Sequence, residues 1–161
     1  MQTVDRKDFV KENISAPMSI YMLLDRHRNR DTNQAYIDRP LSIGWNTTIS
    51  APHMHAMTLE HLAKYLKPGG RAIDIGCGSG YLTAVMAVAV GKRGKVVGVD
   101  HIEEICEYSK NNIMKEHPYL IKEKRVIFIT MDGRKGLPKY GPFHVIHVGA
   151  SIEEVPAEFT E

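Results

Sequence analysis

Only two cysteines, Cys77 and Cys106, occur in the 161 residues. Two thiols cannot build a disulfide framework or a cysteine-rich zinc site, and so low a count suits a reducing compartment. Long apolar runs are also missing. The longest unbroken one, residues 84–90, is far short of the roughly 18 residues of a membrane span. The N-terminal stretch Met1-Gln-Thr-Val-Asp-Arg-Lys-Asp8 has none of the apolar core of a signal peptide. Charge of one sign is lacking too: 21 Lys and Arg stand against 19 Asp and Glu, a formal charge of +2. No global basic field therefore recruits nucleic acid or an anionic membrane. The polar stretch 26–34 holds three arginines, but Asp25 and Asp31 flank them, so it reads as a solvated loop or surface insertion. These absences lead us to expect a soluble, cytoplasmic protein with no nucleic-acid or membrane partner.

What is present is ordinary for a folded domain. Counting glycine in place of tyrosine, the apolar share is about 47%, inside the roughly 45–50% of globular domains, and 25% of residues are charged. The length suits one domain with a self-sufficient core. From Pro52 the pattern becomes regular. Residues 52–66 predict a helix with proline in its first turn, placing Leu59, Leu62, Ala63 and Leu66 on one side and stopping at Lys67-Pro68-Gly69-Gly70. A strand is expected over 71–76, a buried helix over 81–90, and a second strand over 95–100. The following helix carries Ile102, Ile105, Cys106 and Ile113 on one face. Further strands are expected over 125–132 and 143–149. Helices alternating with near-continuous apolar strands imply an open α/β fold with a parallel sheet covered on both faces. Its ligand belongs beyond the carboxyl ends of the strands.

Asp74-Ile75-Gly76-Cys77-Gly78-Ser79-Gly80 follows the first of these strands and precedes a helix. Alternate glycines let the backbone turn sharply and approach a ligand, and a helix start offers N–H groups to an anion. A nucleotide-type cofactor is the natural occupant. The nicotinamide fingerprint Gly-x-Gly-x-x-Gly would place its third glycine at 81, which is Tyr81, so a nicotinamide oxidoreductase is disfavoured. An acid within the strand followed by Gly-x-Gly-x-Gly resembles motif I of the S-adenosylmethionine-dependent methyltransferases. Asp100 closes the second strand about 20 residues past the last glycine, where an acid meets ribose hydroxyls in such folds. Asp132 closes the third, and Gly133 follows; a carboxylate there can accept from an adenine amine while a backbone N–H meets a ring nitrogen.

The resemblance narrows further. Asp38-Arg-Pro-Leu-Ser-Ile-Gly44, Asn46-Thr-Thr-Ile-Ser-Ala-Pro-His-Met-His55, Asp100-His101, Asp132-Gly-Arg134 and Ile146-His-Val-Gly-Ala150 resemble, in order and spacing, the signature of the protein-L-isoaspartate (D-aspartate) O-methyltransferases. The likeness runs over roughly residues 35–158. It implies a doubly wound, mostly parallel sheet of the Rossmann-like methyltransferase type, with strand order 3-2-1-4. It implies S-adenosyl-L-methionine as cofactor, S-adenosyl-L-homocysteine as product, and damaged proteins and peptides carrying isoaspartyl residues as partners. Carried over by position, it makes Ser50 the active-site residue. Thr47, Thr48, Ile49, Ser50, His55, Asp74, Gly76, Gly78, Ser79, Gly80, Asp100, His101, Asp132 and Gly133 would hold the cofactor, and no metal is implied.

The chemistry agrees with so few candidates. A carboxylate of pKa near ~4 is ionised at neutral pH, so methylating it needs positioning and desolvation but no general base. The Ser50 hydroxyl would orient that carboxylate. From the residues alone, Ser50 could equally cap a helix, and His55 could be a satisfied, semi-buried imidazole. Methyltransferases acting on nucleobase amines carry Asp/Asn-Pro-Pro-aromatic after the fourth strand, whereas this chain has Val148-Gly-Ala-Ser151.

Two departures set further expectations. Val4-Asp-Arg6 and Phe9-Val10 match a family segment, but an insertion of about residues 14–33 separates them from the substrate-site loop 38–50. Within one methyltransferase domain, 1–161, we therefore distinguish an N-terminal segment, 1–50, from a cofactor-binding core, 51–161. The family sheet has seven strands, and four are recognisable before Glu161, so we expect a C-terminally truncated domain with an incomplete sheet. Strand 143–148 would then form an exposed edge through which chains self-associate. The alternative function is a truncated, non-catalytic fragment that binds cofactor weakly or only associates with another chain.

Overall fold

The computed structural model describes residues 4–10 and 34–160. The insertion expected at about 14–33 lies outside the described residues. Two 3-10 turns, Arg6–Phe9 and Gln34–Tyr36, precede an antiparallel hairpin of β1 (Leu41–Gly44) and β2 (Thr47–Ile49). Then come α1 (Pro52–Leu62), β3 (Arg71–Ile75), α2 (Tyr81–Ala89), β4 (Lys95–Asp100), α3 (Glu103–Glu116) and α4 (Pro118–Lys122). β5 (Val126–Thr130) and β6 (Val145–Val148) complete the strands.

Strands β3 to β6 form one parallel sheet in the order β5-β4-β3-β6, the 3-2-1-4 order expected. Register pairs Ile75 with Val99 and Asp100 with Thr130, so the carboxyl ends of β3, β4 and β5 lie side by side. Alternation along each strand sends side chains to two cores. Ala72, Val96, Val126 and Val145 meet Leu82, Met86, Ile113 and Leu120 from the helices. Ile73, Ile75, Val97 and Val99 meet Leu137, Tyr140, Phe143 and Phe159. Helical cover over both faces was expected. Among the described residues, α2, α3 and α4 supply it on the first face, whereas the second is covered by the β5–β6 connection and the turn at Ala157–Phe159.

The expected helix at 52–66 is shorter than its apolar spacing suggested. It ends at Leu62, and Ala63 is exposed. Leu62 O accepts from both Tyr65 N and Leu66 N, so the chain tightens into a turn that drops Leu66 into the core at 7% exposure. None of α1's own residues is buried; Leu59 and Leu62 pack on the core from its edge. No helix among the described residues is long and apolar enough to cross a membrane.

Candidate active site

The glycine loop joins β3 to α2, and its three glycines all take positive φ (76°, 54° and 82°). At Gly80 a Cβ would also sit 3.0 Å from that of Ser109, so any side chain there would have to push the helix start and α3 apart by a few tenths of an ångström. At Gly78 a Cβ would stand 3.9 Å from Ile43 Cδ1 and from the Thr48 carbonyl, an ordinary van der Waals separation, so the loop lies close against the β1–β2 hairpin.

The loop's amides are mostly committed. Gly76 and Cys77 N–H both donate to Val99 O, at 2.8 and 3.0 Å, and Gly80 N–H donates to Cys77 O at 2.9 Å. Tyr81 N–H donates to Ser79 Oγ, and Gly78 N–H to Asp100 Oδ2 at 3.4 Å. The loop's own amides are therefore bonded largely within the protein, and the helix start expected to face an anion begins beyond them. The carbonyls are held as well: Ser109 Oγ donates to Gly78 O at 2.7 Å and Asn112 Nδ2 to Ser79 O at 3.0 Å. A loop so braced has few donors for a pyrophosphate, and suits a nucleoside cofactor without one.

The acids differ in their surroundings. Asp74 is 1% exposed and accepts from Thr83 Oγ1 and, at 2.7 Å, from His147 Nδ1. It therefore ties β3 to α2 and to β6. Asp100, 7% exposed, accepts from Gly78 N and Ile102 N, and His101 Nδ1 lies 3.4 Å from its Oδ1. Both of its oxygens face backbone N–H groups at the mouth of the loop, and His101 itself is open to solvent. Asp132 is more exposed and is clasped by Arg134, whose Nε and Nη2 donate at 2.8–3.2 Å. That pairing, joined by the Arg134 N–H, holds the Asp132 carboxyl down to about 2. A Cβ at Gly133 would collide with the Ile75 side chain, so glycine lets the turn after β5 pack against the end of β3.

Ser50 follows β2 and is exposed. It does not cap α1: Ala51 occupies the N-cap with no side-chain bond. Among the described residues no hydrogen bond engages the Ser50 hydroxyl, while its carbonyl accepts from Arg6 Nη1 at 2.8 Å. Thr47 Oγ1 donates to Gly44 O within the hairpin and Ile49 is 2% exposed in the core, so these two can offer a ligand only backbone. Thr48 is exposed and its carbonyl faces the loop. His55 stacks on Tyr81 with centroids 4.8 Å apart, and its Nδ1 lies 3.4 Å from Arg6 Nη1. Burial first, then the charge of Arg6, push its imidazole down to about 4, against an upward pull from Asp74.

Several residues that build the site were not among the sequence candidates. Ser109 and Asn112 were legible as polar residues in the buried stripe of α3. Thr83 sits in a helix apolar all round, and His147 alternates with core residues along β6. Arg6 was legible only as part of the Val4-Asp-Arg6 family segment, with no role of its own. Cys77 Sγ lies 3.8 Å from Ser109 Oγ and Cys106 Sγ donates to Asp100 O at 4.0 Å; the interaction between the two thiols pushes Cys77 up and holds Cys106 below its ordinary range. Both cysteines are free. No cluster of metal-ligating side chains occurs among the described residues.

The family model for protein-L-isoaspartate(D-aspartate) O-methyltransferase (PCMT) matches residues 1–161. Protein-L-isoaspartate O-methyltransferase 1 of Arabidopsis thaliana is 50% identical over 128 residues, 78% of this chain and 55% of that protein. The Triticum aestivum enzyme of the same name is 41% identical over 162 residues, 100% of this chain and 62% of its own length. The chain thus spans little more than half the length of these relatives. A Plasmodium falciparum protein assigned as a protein-L-isoaspartate O-methyltransferase, crystallised with S-adenosyl-L-homocysteine, superposes with a TM-score of 0.76 at 35% identity, covering 95% of this chain and 64% of that one. With a matching signature, sheet order and glycine loop, the chain belongs to the protein-L-isoaspartate(D-aspartate) O-methyltransferase family.

Proposed function

We propose that the chain is part of a repair enzyme that transfers the methyl group of S-adenosyl-L-methionine to the free α-carboxylate of L-isoaspartyl residues, and to D-aspartyl residues, in damaged proteins. The observation that carries this reading is a glycine loop with internally bonded amides lying against the hairpin that Ser50 follows, with the buried Asp100 carboxylate at its mouth. The residues present fit the cofactor. Asp100 offers a buried carboxylate at the end of β4 to ribose hydroxyls, the Gly133 backbone offers a donor to the base, and Gly76, Gly78, Ser79 and Gly80 form the wall against the thioether chain. Asp74 and Thr83 serve this wall from below. His101, Thr47, Thr48 and Ile49 border it.

Bound there, the cofactor supplies a methyl on an electrophilic sulfonium. The chain's own residues supply placement. The Ser50 hydroxyl, free of capping duty, donates to one carboxylate oxygen of the peptide, leaving the other to face the methyl. His55, kept neutral, adds no proton that would quench the acceptor. Positioning of this kind can supply up to about 7 to 11 kcal/mol of the barrier reduction. We assign residues 1–50 to the peptide side and 51–161 to the cofactor side of one domain, and place the protein in the cytoplasm.

The test is methyl transfer from labelled S-adenosylmethionine to an isoaspartyl peptide and to its normal aspartyl twin. Transfer to the first alone is expected; transfer to neither, in a chain that binds S-adenosylhomocysteine, would favour the second reading, a non-catalytic fragment that associates with another chain. That reading draws on Met54, Met57 and Tyr65, all at least half exposed on and just after α1.

A further inference from the structure

Arg6 lies in the first 3-10 turn, yet is only 5% exposed. Its Nε donates to Ala35 O at 2.5 Å and its Nη1 to Ser50 O at 2.8 Å, with His55 Nδ1 at 3.4 Å. Its Nη2 is buried and has no partner. Among the described residues no carboxylate forms an ion pair with it; Asp38 acts on it only at a distance. Buried cations are ordinarily paired, so one that is not points to an anion from outside the described residues, and a bound carboxylate is the candidate.

The same guanidinium settles the state of His55. Arginine has donors and no acceptor, so a ring nitrogen bonded to it must present its lone pair. Nδ1 of His55 is therefore the acceptor, and the ring proton resides on Nε2. Nε2 has no partner in the described residues and is not sealed from solvent. The groups facing this ring are Arg6 from the first turn, Tyr81 from α2, Asp74 from β3 and His147 from β6. All but Asp74 disfavour or do not reward a charged ring, and Asp74 is already engaged by Thr83 and His147.

We infer that Arg6 is a positioning residue for carboxylate recognition: it locks His55 as a neutral Nε2–H donor beside Ser50 and supplies the countercharge that a ligand carboxylate would complete. The inference deepens the proposed methyltransferase function and rests on it for the identity of the ligand. Two carboxylates could fill the role, the one on the cofactor's amino-acid end and the one on the peptide that receives the methyl.

Nitrogen NMR of the histidine-labelled chain, with His55→Gln for assignment, reads the tautomer directly. A neutral ring protonated on Nε2 is expected for His55 from pH 8 down to pH 5. A ring protonated on Nδ1, or one titrating at the ordinary histidine value, would overturn the inference on the wild-type chain alone. In Arg6→Met the signal should become a tautomer mixture and titrate at higher pH, while Arg6→Lys should restore part of the wild-type behaviour. Calorimetry then separates the two carboxylates. If Arg6→Met weakens S-adenosylhomocysteine by about tenfold or more but spares 5′-methylthioadenosine, which lacks the amino-acid end, the cofactor carboxylate is the partner. If both ligands bind unchanged and KM for an isoaspartyl peptide rises by a similar factor at constant kcat, it is the peptide's. No change in any of these would overturn the countercharge role. A wild-type chain that binds no S-adenosylhomocysteine would instead defeat the methyltransferase reading and leave the tautomer result standing.

Discussion

Ser50 stands one residue before the N-cap of α1, and this displacement makes its replacement informative. Because Ala51 holds the cap, Ser50→Ala should change stability by no more than about 0.5 kcal/mol, the usual range for surface positions, and not by the 0.5 to 2 kcal/mol of a lost cap. Methyl transfer to isoaspartyl peptide should fall sharply with S-adenosylhomocysteine affinity intact; unchanged turnover would remove Ser50 from the mechanism. His55 makes a second prediction. Its value falls from 6.5 in the unfolded chain to about 4 when folded, so between those values the unfolded state takes up a proton that the native state refuses. Stability should therefore decline as pH drops from 6.5 toward 4, since it increases with pH wherever the unfolded state binds more protons. Denaturant titrations of His55→Gln across that window should show a shallower decline; an identical slope would place the linkage elsewhere.

At the level of elements, α3 acts as the brace of the glycine loop. Asn112→Ala removes the donor to Ser79 O and leaves a buried carbonyl unsatisfied, which should cost about 1 to 3 kcal/mol and weaken S-adenosylhomocysteine binding. Thermal unfolding and calorimetry on the same preparation would show both, and a variant as stable and as tight-binding as the wild type would mean that the loop holds itself. The sheet was readable because Val- and Ile-rich runs ending in Asp or Gly leave few alternatives; the strand at Lys95–Asp100 has the expected limits and the other three fall within theirs by at most two residues at either end. The hairpin was not read as such. Its turn places Trp45 and Asn46 at φ 50° and 57°, where hairpin turns usually carry Asn-Gly, and the Trp hid the signal although Leu41, Ile43, Thr47 and Ile49 alternate around it. Contacts across the chain were beyond reach for a different reason. The Arg6–Ser50 and Asp74–His147 bonds join residues 44 and 73 positions apart, and no local period encodes such a meeting. Likewise, nothing in the pattern of a strand-ending Asp132 showed that Arg134 would clasp it.

Across the whole molecule, the described sheet ends at β6, whose one strand partner is β3. Its outward N–H and C=O groups form a template for another strand, and exposed apolar side chains on α1 add to the same tendency. We expect faster hydrogen exchange in β6 than in β3. Equal protection in both strands would show that this edge is guarded. The braced glycine loop has the opposite character. Its amides bond to Val99, Cys77, Asp100 and Ser79 and its carbonyls to α3, so its shape is set before a ligand arrives. Little conformational entropy remains for it to lose on binding, and affinity at this wall is governed by how well a rigid mould is filled and not by the cost of ordering it.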